Sequence, residues 1–120
     1  MARKNALREV LDTLIASAGV ATVYGDHVKP GWLHCIEHIS WEINLATSSG
    51  NTRCRLFIDR GGARDYLEEQ AAPAANNLYT YNEKQWLGEG ERVGLEIDQA
   101  QASTTLKGLI RGYRQEAKES

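Results

Sequence analysis

From residue 20 to residue 113 the apolar side chains recur at every second position in short runs, and clusters of Gly, Pro, Asn and Ser separate the runs. That period belongs to half-buried β-strands, whose successive side chains point to opposite faces. Residues 20–24 (VATVY) alternate and close on Gly25-Asp26. Lys29-Pro30-Gly31 is a turn, because Pro presets φ and Gly supplies a positive one. The longest extended stretch follows over 32–45 (WLHCIEHISWEINL). There Trp32 and Ile36 share one parity, and Leu33, Cys35, Ile39, Trp41, Ile43 and Leu45 share the other, which predicts a bulge or a change of sheet near Ile36-Glu37. Beyond the Ser48–Asn51 loop, residues 52–59 place Cys54, Leu56 and Ile58 inward and Arg53 and Arg55 outward. Gly61-Gly62 turns the chain into a strand over 63–70, and residues 71–77 (AAPAANN) read as a loop. Short strands at 78–81 and 85–87, a turn at 88–91, and strands at 92–98 and 104–113 complete the pattern.

The N-terminal segment has a different rhythm. Residues 6–18 put Leu7, Val10, Leu11, Leu14, Ile15 and Ala18 at intervals of three and four, with Asn5 as a candidate N-cap and Gly19 as a candidate C′ residue. A short amphipathic helix is the reading this spacing favours; an extended arm is its rival, since Thr13, Leu14 and Ile15 tolerate a strand. Either form leaves Leu7, Leu11 and Leu14 in need of a partner surface, on the domain's own flank or on another subunit.

About eight short strands at roughly ten-residue spacing, without alternating helices, predict an all-β antiparallel sandwich or barrel. The organisation read from the sequence is an appendage over 1–18, a sandwich over 19–114 and a polar tail over 115–120. At 120 residues the chain holds one core. Fourteen Lys and Arg against sixteen Asp and Glu leave a net charge of -2, which argues against a nucleic-acid binder. No apolar run approaches the ~20 residues of a membrane span, and the basic start is not followed by the apolar stretch of a signal peptide. The two cysteines, Cys35 and Cys54, fall on strands where both are expected inward and reduced.

Candidate chemistry is sparse. His27, His34, Cys35 and His38 lie close in sequence, but two histidines four apart on one strand face stand about 13 Å from each other. That is too far for a shared metal, so no metal or cofactor is expected. The paired histidines also lack the spacing of a cupin motif. Glu37, Glu42, Asp59, Asp65, Glu68 and Glu69 read as solvated strand-face charges, and neither a nucleophile elbow nor a phosphate loop is present. A non-enzymatic protein is expected. Among the aromatics, Tyr79 and Tyr81 share a parity beside Asn76-Asn77, and with Trp86 they form the candidate platform for a carbohydrate ligand.

Several features of the segment 32–113 resemble the small jelly-roll proteins encoded among bacteriophage structural genes. They are Pro30-Gly31-Trp32 opening a strand, the stretch HISWEIN (38–44), the Gly61-Gly62 turn into a Tyr-containing strand, WLGEGERVGLEID (86–98), and the Gly112-Tyr113 ending. The resemblance implies an antiparallel jelly-roll-like β-sandwich and a virion component made in the host cytoplasm: a head decoration (cement) protein, a head-fibre base or a tail-associated module. It also implies capsid or other virion proteins as partners and a homo-oligomer, with a trimer favoured. On that reading the N-terminal segment docks, with Arg3, Lys4 and Arg8 pairing with acidic groups and Leu7, Leu11 and Leu14 supplying apolar contact. The alternative is a lectin-like sandwich that uses Tyr79, Tyr81 and Trp86.

Overall fold

The computed structural model describes residues 4–15, 19–45 and 51–117, and every described element is a strand. In chain order these are β1 (Lys4–Leu14), β2 (Gly19–Tyr24), β3 (Trp32–Ile43), β4 (Arg53–Arg60), β5 (Ala63–Ala71), β6 (Tyr79–Tyr81), β7 (Gln85–Leu87), β8 (Arg92–Ala100) and β9 (Thr105–Glu116). Two antiparallel sheets face each other. The first has the order β1-β9-β3-β6, with β7 also pairing with β3, and the second has the order β2-β8-β4-β5. The pairs β1·β9, β2·β8, β3·β6/β7 and β4·β5 nest like one long ribbon folded back on itself. Two further ladders, β9·β3 and β8·β4, close the ribbon into sheets. That connectivity is the jelly roll, an eight-position double sheet whose fourth strand of the first sheet is here split into β6 and β7. No described helix is long and apolar enough to cross a membrane.

The N-terminal helix is not formed. Residues 4–14 instead make an eleven-residue ladder along β9, from Lys4↔Gln115 to Leu14↔Thr105. The four-residue interval that suggests a helix also fits a strand, because Leu7, Leu11 and Ile15 are all odd positions with polar Glu9 and Thr13 between them. These three side chains enter the core. An isolated helix of this length is marginal in water, whereas the edge of β9 offers a full ladder together with apolar burial. Arg3 lies outside the described residues, as do Ala18 and Ser48 to Gly50 of the predicted loop.

The expected bulge is present: the β3·β9 register slips between Ile36 and His38 and leaves Glu37 as the extra residue. Opposite it stands Gly112, where any Cβ would overlap the Cys35 carbonyl oxygen, so the bulge needs glycine there. Between the sheets, Ile39, Trp41 and Ile43 of β3 and Leu106 and Ile110 of β9 meet Leu56 and Ile58 of β4 and Val93, Leu95 and Ile97 of β8. Cys54 is part of that core, and burial pushes its thiol pKa up to about 12. Both cysteines are free and buried.

Cys35 is a correction. Although buried, it stays outside the intersheet core and pairs across strands with Trp86 and Tyr113 on the outer face of the first sheet. The rings of Trp86 and Tyr113, 5.8 Å apart and edge-on, form a small satellite cluster with it.

Candidate functional site

Three surfaces carry the unusual chemistry: the two outer faces of the sandwich, and one end of the space between the sheets.

Strand alternation sends Arg53, Arg55, Phe57 and Asp59 of β4 to the outer face of the second sheet, beside Arg92, Gly94, Glu96 and Asp98 of β8. Here nearly every charge has a partner. Arg55 Nε donates to Glu69 at 2.8 Å and its Nη1 to Asp98 at 3.0 Å; Arg64 Nη1 donates to Glu96 at 2.7 Å. Arg92 Nε donates to Asp59 at 3.1 Å while its guanidinium lies 3.6 Å from the centre of the Tyr24 ring. The Gly62 backbone N–H, together with Arg92, holds the Asp59 carboxyl below its ordinary pKa. Beneath this layer Phe57 is wholly buried although it faces outward. Tyr24 and Tyr66 flank it, the Arg64 guanidinium sits 4.2 Å above it, and its ring occupies the space where a Gly94 side chain would stand.

The outer face of the first sheet differs. Its rungs run Val10–Leu109–Ser40, Asp12–Lys107–Glu42 and Arg8–Arg111–His38. Val10 is 63% exposed, Leu14 66% and Leu78 57%. Leu78 and Leu109, with Ser40, Glu42 and Lys107, line a shallow depression of about 330 Å³. Among the described residues, neither Arg8 nor Arg111 has an acidic partner, and they stand opposite each other in the ladder. Like charges directly opposed on a sheet are unfavourable unless a further group neutralises them.

At the end of the sandwich where Lys4 and Glu116 lie, the apolar core stops at Leu7, Val28 and Leu87, and a polar cleft of about 530 Å³ opens between the sheets. The inward rung Asn5–Arg114–His34 forms its floor, and Trp32 flanks that rung. Glu9, further along the same inner face of β1, continues the lining and meets the loop after β2, where the Asp26 backbone N–H donates to Glu9 Oε1 at 2.9 Å. The loop that carries Asp26 is fixed by Val28 N–H donating to the Glu91 carbonyl and Gly90 N–H donating to the Val28 carbonyl. Burial, opposed by the Asp26 N–H, raises the Glu9 pKa; burial and the Arg114 guanidinium lower that of His34.

The docking residues named from sequence separate into two sets. Leu7 and Leu11 are core residues, Leu14 and Arg8 face outward from β1, and Lys4 begins that strand. The aromatic candidates separate as well. Tyr79 stacks on Trp41 at 4.5 Å, and its hydroxyl accepts the Ala74 N–H. Tyr81 packs against the core and its hydroxyl accepts from Gln85. Trp86 is on the opposite face of the sheet, 45% exposed. The three rings therefore form no common platform. The bulge also parts the histidines: His34 points into the cleft, while His38 is hydrogen-bonded to Asn82 at 2.6 Å. Among the described residues no three His, Cys, Asp or Glu side chains stand together as metal ligands. The cleft draws on residues scattered from Asn5 to Arg114, so no local spacing announces it.

No protein-family model matches the chain, and no curated protein matches it. Solved structures that resemble it include murine APRIL, at TM-score 0.45 and 14% identity over 88% of this chain and 100% of that one. The xylan-binding module CBM86 from Roseburia intestinalis has TM-score 0.44 and 10% identity over 92% of this chain and 96% of that one. A chain of the Gx strain of infectious bursal disease virus has TM-score 0.44 and 7% identity over 97% of this chain and 36% of that one. At these TM-scores none of the three likenesses says what this chain binds.

Proposed function

We propose that this chain is a non-enzymatic bacteriophage virion protein, a decoration or cement-type jelly roll that packs on neighbouring protein through the outer face of its first sheet. One observation carries the reading: Val10, Leu14 and Leu78 are exposed on a face whose adjacent Arg8 and Arg111 lack acidic partners. Exposed apolar side chains interleaved with unmatched charge, spread here across the face from β1 to the segment before β6, suit contact with another protein. The Arg8–Arg111 pair selects a partner that brings carboxylates to that rim. Copies of the chain meeting through this face would form the expected oligomer.

Light scattering on the full chain tests this. The expected result is an oligomer at micromolar concentration that becomes monomeric in Val10→Asp and Leu14→Asp variants of unchanged melting temperature. A wild-type monomer, or an oligomer indifferent to both substitutions, overturns the oligomer reading. Capsid and portal genes flanking the coding sequence would support the virion assignment.

A further inference from the structure

The cleft at the end of the sandwich borders the docking face at Arg8, but the proposed function does not use it. Its most telling group is His34. The side chain is only 7% exposed, lines the cleft, and makes no hydrogen bond among the described residues. A buried polar group with no partner costs free energy, so such a group persists where something supplies the missing bond. Burial and Arg114 both favour the neutral imidazole, which presents one N–H donor and one acceptor.

The surrounding chemistry narrows what that something is. Arg114 and Lys29 are donor-only, Glu9 and Asp26 are acceptors when ionised, and Asn5 and His27 offer both functions. A free anion would meet Glu9 and Asp26, and a cation would meet Arg114 and Lys29. A neutral ligand whose groups each donate and accept satisfies the whole wall. The half-buried indole of Trp32, with the Arg114 guanidinium 5.6 Å from its ring centre, supplies an apolar surface beside those polar groups. The volume of about 530 Å³ falls within the roughly 300–1,000 Å³ of small-ligand sites.

We propose that the cleft bounded by Asn5, Glu9, Asp26, Trp32, His34 and Arg114 is a binding site for a neutral sugar, which rests on Trp32 and hydrogen-bonds His34 through a hydroxyl. This site is distinct from the Tyr79, Tyr81 and Trp86 set. In a protein that packs on a capsid through its outer face, it would leave a glycan-binding mouth at the end of the sandwich.

The test is an NMR titration of the isotope-labelled full chain with glucose, galactose, xylose and N-acetylglucosamine and their short oligomers. The indole N–H signals of Trp32, Trp41 and Trp86 are assigned beforehand with Trp→Phe variants. At least one sugar should shift Trp32 and leave Trp86 in place, and Arg114→Met and His34→Ala should each weaken that sugar roughly tenfold or more. Arg114 is exposed to solvent, so Arg114→Met gives a result even if His34→Ala does not fold. The proposal fails if no sugar in the set moves Trp32, or if Arg114→Met binds as wild type. Shifts confined to Trp86, or a cleft that responds to acetate or inorganic phosphate but to no sugar, overturn it as well.

Discussion

On the outer face of the second sheet, Arg55, Arg64 and Arg92 each have a carboxylate within 3.1 Å. On the outer face of the first, Arg8 looks across the ladder at Arg111, and Val10 and Leu14 project between charged rungs. The two sheets share one core, so the fold alone does not require the difference. A sandwich needs its inner faces apolar and leaves its outer faces free. The second sheet uses that freedom to close itself, burying Phe57 under two tyrosines and an arginine. Among the described residues, only Val20 and the Tyr66 ring that covers Phe57 remain as its large exposed apolar groups. The first sheet leaves both its apolar and its ionic needs open. A face with internally matched charges has little to offer a partner, and an unmatched one has to find it elsewhere.

The largest test of that contrast is Phe57→Ala. If the second face is a sealed layer, Phe57 is a core residue by environment although it points outward. Its removal should then cost about 3–5 kcal/mol in denaturant unfolding, as for an intersheet residue such as Leu95. A loss under about 1 kcal/mol, typical of an ordinary surface position, would show that the cap is loosely held and erase the distinction. Breaking the charge layer has a smaller effect. Arg55→Met removes the contacts to Glu69 and Asp98, and partly exposed pairs of this kind are worth about 1 kcal/mol or less. The loss should shrink further in high salt. The corresponding change on the first sheet, Arg111→Met, should leave stability unchanged or improve it, because it relieves Arg8. If both substitutions destabilise equally, the first face has a charge partner of its own.

Much of the fold is legible in the sequence because burial on one side imposes period two. The strands over 32–43, 53–60 and 92–100 and the bulge at Glu37 follow directly from where that period holds and where it slips. The N-terminal strand is not legible, because Leu7, Leu11 and Ile15 satisfy a helical interval and a strand parity together, and only the ladder with β9 decides between them. Cys35 misleads because the bulge also reverses the faces of β3 before it, which sends Cys35 outward against Trp86 and Tyr113. The burial of outward-facing Phe57 is not legible because Tyr24 and Tyr66 reach it only through tertiary structure. The bulge was visible but its consequence was not: one extra residue reverses His38 relative to His34, so the cleft keeps one histidine and loses the other. The cleft itself assembles Asn5, Asp26, His34 and Arg114 from the far ends of the chain, and nothing local ties them together.

The smallest predicted effect lies between the sheets, at Glu9. This carboxylate is on the inner face of β1, a partly buried charge on the sheet whose outer Arg8–Arg111 pair is also uncompensated. Burial raises its folded pKa above the ordinary value of 4.5. The sign follows from linkage. Below the unfolded pKa both states hold the proton and Glu9 imposes no electrostatic penalty; as pH rises through the raised folded value, the native state must ionise a partly buried group and loses stability relative to the unfolded chain. Glu9→Gln keeps an oxygen to accept the Asp26 N–H and removes the charge. It should therefore melt higher than wild type at neutral pH, and the difference should vanish as pH falls below about 4. Melting curves of both proteins across that range measure it. A difference that stays constant with pH would mean that Glu9 acts through packing alone. A variant less stable than wild type at neutral pH would show that the cleft already compensates the charge, placing the unmet electrostatics of the first sheet wholly on its outer face.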